Sequence, residues 1–212
     1  MNKTLHYLFD PLCGWCYGAT PTLSRLQEVS GITVKLLPTG LFSGERARSM
    51  NADFAAFAWG NDQRIARMTG QSFTERYRDS VLGNHHRLFD SGPATVALTA
   101  VSLTTPAREL DALKAIQRAR FVDGLDIADL ATLASVLTSI GLNEAGVMVA
   151  TPHATLLHAN RARTDRAKAL MSEFDARGVP TFIADSGEKR WMLHSNAIYS
   201  NPEALIDQLQ AA

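Results

Sequence analysis

Cys13 and Cys16 are the two cysteines of this 212-residue chain, and two residues separate them. A pair this close does not staple a fold, because a structural bridge gains from closing a long loop. Such spacing in a reducing compartment points to redox catalysis or metal binding. Zinc needs about four ligands, and the other clustered candidates, His85-His86, fit no zinc module. No metal is expected. The pair sits in Phe9-Asp10-Pro11-Leu12-Cys13-Gly14-Trp15-Cys16, between a segment rich in β-formers and one that reads as a helix. Unpaired N–H groups and the positive end of the macrodipole at a helix start both stabilise a thiolate. Thiols so placed ionise at roughly pH 3.5–7.5. The chemistry implied is thiol–disulfide exchange, in which Cys13 at the helix end attacks and Cys16, one turn in, resolves the mixed disulfide. Trp15, between them, is placed to contact substrate.

The elements around the pair must present it. Thr4–Phe9 reads as a buried strand, broken by Asp10-Pro11. A helix runs from the cysteines to about Val29, with Pro21 inside it and Gly31 as its stop. Ile32–Leu37 is a second strand, and Pro38, Gly40, Ser43 and Gly44 mark a loop. From about Glu45 to Arg177 the pattern is helical, with segments near Phe54–Met68, Phe73–Leu82, Pro93–Leu103 and Arg108–Val122. Ile127, Leu130, Ala131, Ala134 and Leu137 form a stripe, with Asp126 as its N-cap, Asp129 at N3 and Gly141 as its stop. A further stripe, Ala167, Leu170, Met171 and Phe174, ends at Gly178. Val179–Ala184 is strand-like, Asp185-Ser186-Gly187-Glu188 a hairpin turn and Lys189–Leu193 the return strand. Asn201 caps a last helix with Pro202 at its first position and Leu205, Ile206 and Leu209 facing inward. Pro180 stands at a strand entrance, where a residue without an N–H is awkward and a cis peptide resolves the difficulty.

The order is therefore β-α-β, a block of helices, then β-β-α. Neither flank closes a sheet alone, so both halves are expected to form one α/β domain, residues 1–44 plus 177–212, interrupted by an all-helical insertion, 45–176. Lys and Arg total 21, Asp and Glu 21, and the formal net charge is zero. A nucleic-acid binder would show a basic excess, so that class is set aside. No apolar run approaches the roughly 20 residues that span a bilayer. The start, Met1 to Phe9, is too short and too interrupted by His6 for a secretory segment. The sequence reads as cytoplasmic. His6, His153, His158 and His194 have no evident partner, and Arg161, Arg163, Arg166 and Lys168 read as a solvated face.

The Asp10-Pro11-Leu12-Cys13-Gly14-Trp15-Cys16 start resembles the DsbA-like branch of the thioredoxin superfamily, in particular its FrnE-like and disulfide-isomerase members. Pro21, five residues beyond Cys16, matches a proline that recurs in the superfamily, and Gln117–Ile127 is similar to part of the family's insertion. The resemblance implies a thioredoxin fold with a helical insertion. It also implies that Pro180 is cis beside the nucleophilic sulfur and that Val179 offers its backbone to an extended substrate. The implied partners are protein or peptide thiols and disulfides, with glutathione or a thioredoxin-type reductase as electron partner, and no bound cofactor. The family's buried acid six residues before the first cysteine is Tyr7 here. Asp10 is therefore expected to assist proton transfer from Cys16. Trp15 replaces the histidine that DsbA oxidants often carry beside the second cysteine, so a less oxidising pair is expected. Two rival readings share the architecture. One is a glutathione-dependent transferase or isomerase of the kappa or hydroxychromene carboxylate isomerase type, which generally uses serine where Cys13 stands. The other is a redox-switched, chaperone-like binding protein.

Overall fold

The computed structural model describes residues 2–194, 197–200 and 202–211. Strand β1 (Lys3–Phe9) alternates strictly. Leu5, Tyr7 and Phe9 face one side of the sheet, while His6 and Leu8 face the other, and all five are buried. It is the second strand of a four-stranded sheet, order β2-β1-β5-β6, formed with β2 (Ile32–Pro38), β5 (Thr181–Asp185) and β6 (Arg190–Met192). β1 runs parallel to β2, with Lys3 opposite Ile32 and Phe9 opposite Pro38. It runs antiparallel to β5, with Thr4 opposite Asp185 and Leu8 opposite Thr181. The sheet thus joins the first 40 residues to the last 40, as the order of elements anticipates.

Helix α1 (Gly14–Gln27) follows β1 and carries Pro21 internally. The insertion holds a two-residue ribbon, β3 (Arg48–Ser49) with β4 (Leu88–Phe89), and α2 (Ala52–Thr69). A short α3 (Glu75–Tyr77) continues into a π-helical turn, Arg78–Leu82. Then come α4 (Gly92–Thr104), α5 (Glu109–Phe121), α6 (Leu130–Ser139), α7 (Asn143–Ala150) and α8 (Ala154–Glu173). α9 (Ala197–Ser200) and α10 (Pro202–Ala211) end the chain. Asn201, the expected cap of α10, lies outside the described residues, while Leu205 and Leu209 are fully buried.

Several boundaries differ from expectation, each for a local reason. α1 ends at Gln27 rather than Val29, because Glu28 and Val29 close it with tighter bonds to Arg25 and Leu26. The span Phe73–Leu82 is not one α-helix. α6 begins at Leu130 with Asp129, not Asp126, as its cap, and the Asp129 carboxylate accepts from the Thr132 N–H at 2.8 Å. Asp126 instead accepts from the Ala128 N–H in the turn before. β5 starts at Thr181, so Val179 and Pro180 stand in the loop that enters it. Arg163 is not solvated. It pairs with Glu109, donates to the Leu36 carbonyl at 3.0 Å and reaches Thr99, tying α8 to α4, α5 and β2. His6 also has a partner, Asp185, at 3.6 Å. His153 caps α8 by accepting from the Leu156 N–H.

One face of the sheet is covered by α8 through Leu8, Leu37, Ala167, Leu170 and Ile183. The other face belongs to a single core that runs through α1 into the insertion. Tyr7 stacks on Phe9 at 5.0 Å and on Phe182 at 5.1 Å, and Tyr17 of α1 stacks on Phe121 of α5 at 4.9 Å. Among the described residues, no helix is long and apolar enough to cross a membrane.

Candidate active site

Cys13 is the N-cap of α1, with extended backbone (φ −80°, ψ 118°), and its carbonyl receives the first helical bond from the Tyr17 N–H at 3.0 Å. No side chain caps this end. The first-turn N–H groups therefore face the space around the Cys13 sulfur. Cys13 is half-buried and Cys16 fully buried, and both are free thiols. Burial, and then the neighbouring Cys13, push the Cys16 thiol well above its ordinary pKa. A half-open sulfur on the helix end over a closed, protonated one is the arrangement that lets one thiol attack and the other wait.

The Val179–Pro180 peptide is cis. The Val179 carbonyl lies 3.7 Å from Cys13 Sγ. Sequence separates these residues by 166 positions, and the β1–β5 pairing brings them together. Trp15 is half-buried. Its ring meets the edge of Tyr199 at 5.2 Å, and its carbonyl accepts from the Tyr199 hydroxyl at 2.9 Å. The Arg64 guanidinium lies 5.7 Å from the Trp15 ring.

Asp10 is fully buried, so it is no solvated turn residue. Its Oδ1 accepts from the Leu12 N–H at 2.9 Å, and its Oδ2 from the Phe42 N–H at 3.2 Å and the Ser91 hydroxyl at 2.6 Å. Burial raises its pKa, against the pull of these hydrogen bonds. Tyr7, at the position of the family's in-strand acid, donates its hydroxyl to the Cys16 carbonyl at 3.0 Å. Burial raises its pKa as well, so it stays a neutral phenol under the pair.

The insertion completes the site. Gly14 lets α2 approach closely: a Cβ there would stand 2.2 Å from Asp62 Oδ1, and one at Gly18 would stand 2.8 Å from Ile65 Cγ2. A cleft of about 540 Å³ opens between the two helices, lined by Cys13, Gly14, Trp15, Phe54, Phe57 and Asp62, among others. Asp62 is 5% exposed, and its Oδ2 accepts from the Tyr77 hydroxyl at 2.9 Å. Burial pushes its pKa up to about 7. Asp62, Tyr77 and Ser91 were not among the residues singled out from sequence. A signal for Asp62 existed: Ala58, Asp62, Ile65 and Thr69 share one face of α2, which puts a carboxylate on the helix's inward stripe.

Residues 4–198 match the family model of the DSBA-like thioredoxin domain. The cytosolic disulfide reductase DsbM from Pseudomonas aeruginosa superposes with a TM-score of 0.85 at 33% identity, covering 99% of this chain and 100% of that one. Its structure with glutathione gives 0.86 at 32% identity, over 99% and 100% of the two chains. The oxidoreductase DsbA from Xylella fastidiosa shares the fold at 14% identity and a TM-score of 0.56, covering 100% of this chain and 88% of that one. No curated protein sequence matches. The full-length profile and a third of the residues shared with a disulfide reductase agree with the cysteine geometry: this chain belongs to the DsbA-like thioredoxin family and is a disulfide oxidoreductase.

Proposed function

We propose that the protein reduces or isomerises disulfides of protein or peptide substrates in the cytoplasm through Cys13 and Cys16, with glutathione as electron partner. The observation that carries this reading is the half-open Cys13 sulfur on a bare helix N-terminus, beside the Val179 carbonyl and above buried Cys16. The likeness to a cytosolic reductase whose structure was also obtained with glutathione supports the direction, the compartment and the partner.

Cys13 attacks as a thiolate. Its sulfur bonds to one sulfur of the substrate disulfide, and the other leaves with the electron pair. The backbone of Val179, held by Pro180 and released by the Cys13 thiol as it ionises, pairs with the extended substrate beside the attacked bond. Gly14 lets α2 and its cleft come up to the helix end, and Trp15 walls the substrate side. Cys16 then gives up its proton, which its raised pKa makes the demanding step, and Asp10 assists from the adjoining turn. The Cys16 thiolate attacks Cys13 Sγ and releases the second substrate thiol. In isomerisation Cys16 stays out: the first thiol released attacks another substrate disulfide, and a substrate thiol then attacks the mixed disulfide and frees Cys13, with no net transfer of electrons. In reduction the Cys13–Cys16 disulfide is returned to two thiols by two glutathiones, which leave as one glutathione disulfide. The cysteine pair carries both electrons, so no metal or organic cofactor is needed.

Equilibration in glutathione redox buffers, with alkylation of the remaining thiols, tests the reading. A potential nearer the thioredoxin value of about −270 mV than the DsbA value of about −120 mV is expected. Cys13→Ala should return disulfide reduction to the uncatalysed rate, and Cys16→Ser should accumulate a mixed disulfide on Cys13. A potential at the DsbA end would make the protein an oxidant, and absence of any intramolecular disulfide would overturn the exchange reading.

A further inference from the structure

Two carboxyls flank the cysteine pair, and the steps above use only Asp10. Asp62 enters the site from the insertion. It lies across Gly14 from the pair and lines the same cleft as Cys13. A carboxyl on the inward face of a helix is expensive to bury without partners. Yet among the described residues its hydrogen bonding is confined to Tyr77 on Oδ2, and no donor reaches Oδ1. The oxygen left open is the one nearest the helix end that carries the attacking sulfur.

We propose that Asp62 is the general acid that protonates the thiolate expelled when Cys13 attacks a substrate disulfide, a role that rests on the exchange reading above. Attack is in line, so the departing sulfur lies beyond the attacked one, out in the cleft. The cleft has α2 as a wall, and among the described residues Asp62 is the one carboxyl lining it. The balance is simple. Cys13 sulfur gains a bond to one substrate sulfur and the substrate S–S bond breaks. The expelled thiolate takes the Asp62 proton and leaves as a thiol, and the Asp62 carboxylate is reprotonated from water in the cleft. Without such a donor, a basic alkyl thiolate would be released unprotonated into a mostly apolar space.

The surroundings suit a group that must hold and release a proton near neutrality. Tyr77 of α3 and Arg120 of α5 act on Asp62 directly, Cys13 at the N-cap of α1 and Arg48 of β3 line the same cleft, and Arg64 of α2 stands over the Trp15 ring. Burial raises the carboxyl to about pKa 7, while the Tyr77 hydrogen bond and the Arg120 charge stabilise the ionised form. Arg120 is itself 3% exposed and caged by the rings of Tyr77, Phe89 and Phe121 at 5.2–5.6 Å. Its fixed charge backs the carboxylate left after the proton departs. A donor with a pKa near the working pH is the efficient choice.

The test uses leaving groups of different basicity, in single turnovers of the reduced full-length protein. An aryl disulfide such as dithiobis(nitrobenzoate) expels a thiolate that needs no proton, and oxidised glutathione expels one that does. Asp62→Asn should slow reduction of oxidised glutathione at pH 6.5 by about a hundredfold, the low end of general-acid effects. The aryl rate should stay within about twofold, which also shows that the variant is folded. In the wild type the alkyl-to-aryl rate ratio should fall as pH rises through about 7. Tyr77→Phe removes a bond that favours the carboxylate, so it should move that fall to higher pH. Equal effects of Asp62→Asn on both substrates, no effect on either, or a pH break unmoved in Tyr77→Phe would overturn the proposal. A wild type that reduces neither disulfide would overturn the exchange reading itself.

Discussion

Asp10 and Asp62 are both buried acids near the same helix end, and both have raised pKa values. Their surroundings are opposite. Asp10, in the turn between β1 and α1, receives three donors, two of them backbone N–H groups. Asp62, on α2 and lining the cleft, receives one phenol hydroxyl on Oδ2, while its Oδ1 lies against Gly14 with no donor among the described residues. A buried carboxyl held by three donors ties a loop in place, whatever proton it also moves. Loss of its charge there also loses the geometry it organises, here the approach of the Phe42 loop and Ser91 to the cysteine turn. A carboxyl with one partner is cheap to protonate and leaves an oxygen for chemistry. Hydrogen-bond count, more than depth of burial, separates the two.

The widest gap should appear on deleting Asp10. Asp10→Ala leaves the Leu12 N–H, the Phe42 N–H and the Ser91 hydroxyl without their acceptor, and should cost about 3–5 kcal/mol in urea unfolding. A cost below about 1 kcal/mol would erase the distinction drawn above.

Asp62 should behave in the contrary sense. Its folded pKa is raised, from 3.8 to about 7, so the native state holds a proton where the unfolded chain has lost it. Stability contributed at this site is therefore lost as pH rises from about 4 to 7. Asp62→Asn should flatten that slope and make the protein more stable above pH 7, by as much as about 4 kcal/mol. Urea melts at pH 5 and pH 8 for both proteins give the difference directly.

Gly14→Ala probes the contact between the two regions. The new methyl meets Asp62 Oδ1 at 2.2 Å and must displace α2 or the carboxyl, at about 1–3 kcal/mol. The variant should also lose reduction of alkyl disulfides more than of aryl ones. The smallest effect is expected for Ser91→Ala. It removes one of Asp10's three donors, should cost about 1 kcal/mol and should raise the Asp10 pKa further, since that hydrogen bond lowers it. Thermal unfolding monitored across pH checks both.

The floor of the site was legible in sequence and its wall was not. Cys13, Cys16 and Asp10 lie within seven residues, and β-α-β periodicity on either side places them at a helix start. The cis form of Pro180 was legible mostly from the family resemblance, with the awkwardness of a proline at a strand entrance in support. Asp62 is 46 residues beyond Cys16 in a helix with many polar residues, where one acid resembles any solvated one. Only the spacing Ala58, Asp62, Ile65 marks it, and that spacing does not say which helix it will face. The ribbon β3–β4 has two residues per strand, too few for a period of two to show. Arg163 was misread for a related reason: its acceptors, Glu109 and the Leu36 carbonyl, belong to other elements.

The strand order carries a further consequence, for synthesis. β1 is an inner strand whose second neighbour, β5, lies about 170 residues later in the chain. While the protein is being made, β1 can pair with β2 soon after both leave the ribosome, but its other edge stays bare until residues 181–185 emerge. Throughout that interval both cysteines are already outside the ribosome, and the loop carrying Val179 is not. The nascent chain thus passes through a stage in which the thiols exist without the loop that brings the Val179 carbonyl beside Cys13, next to an edge ready to accept a foreign strand. Elongation rate over the insertion, and the holding chaperones that meet an open sheet edge, then become determinants of how much working enzyme each messenger yields.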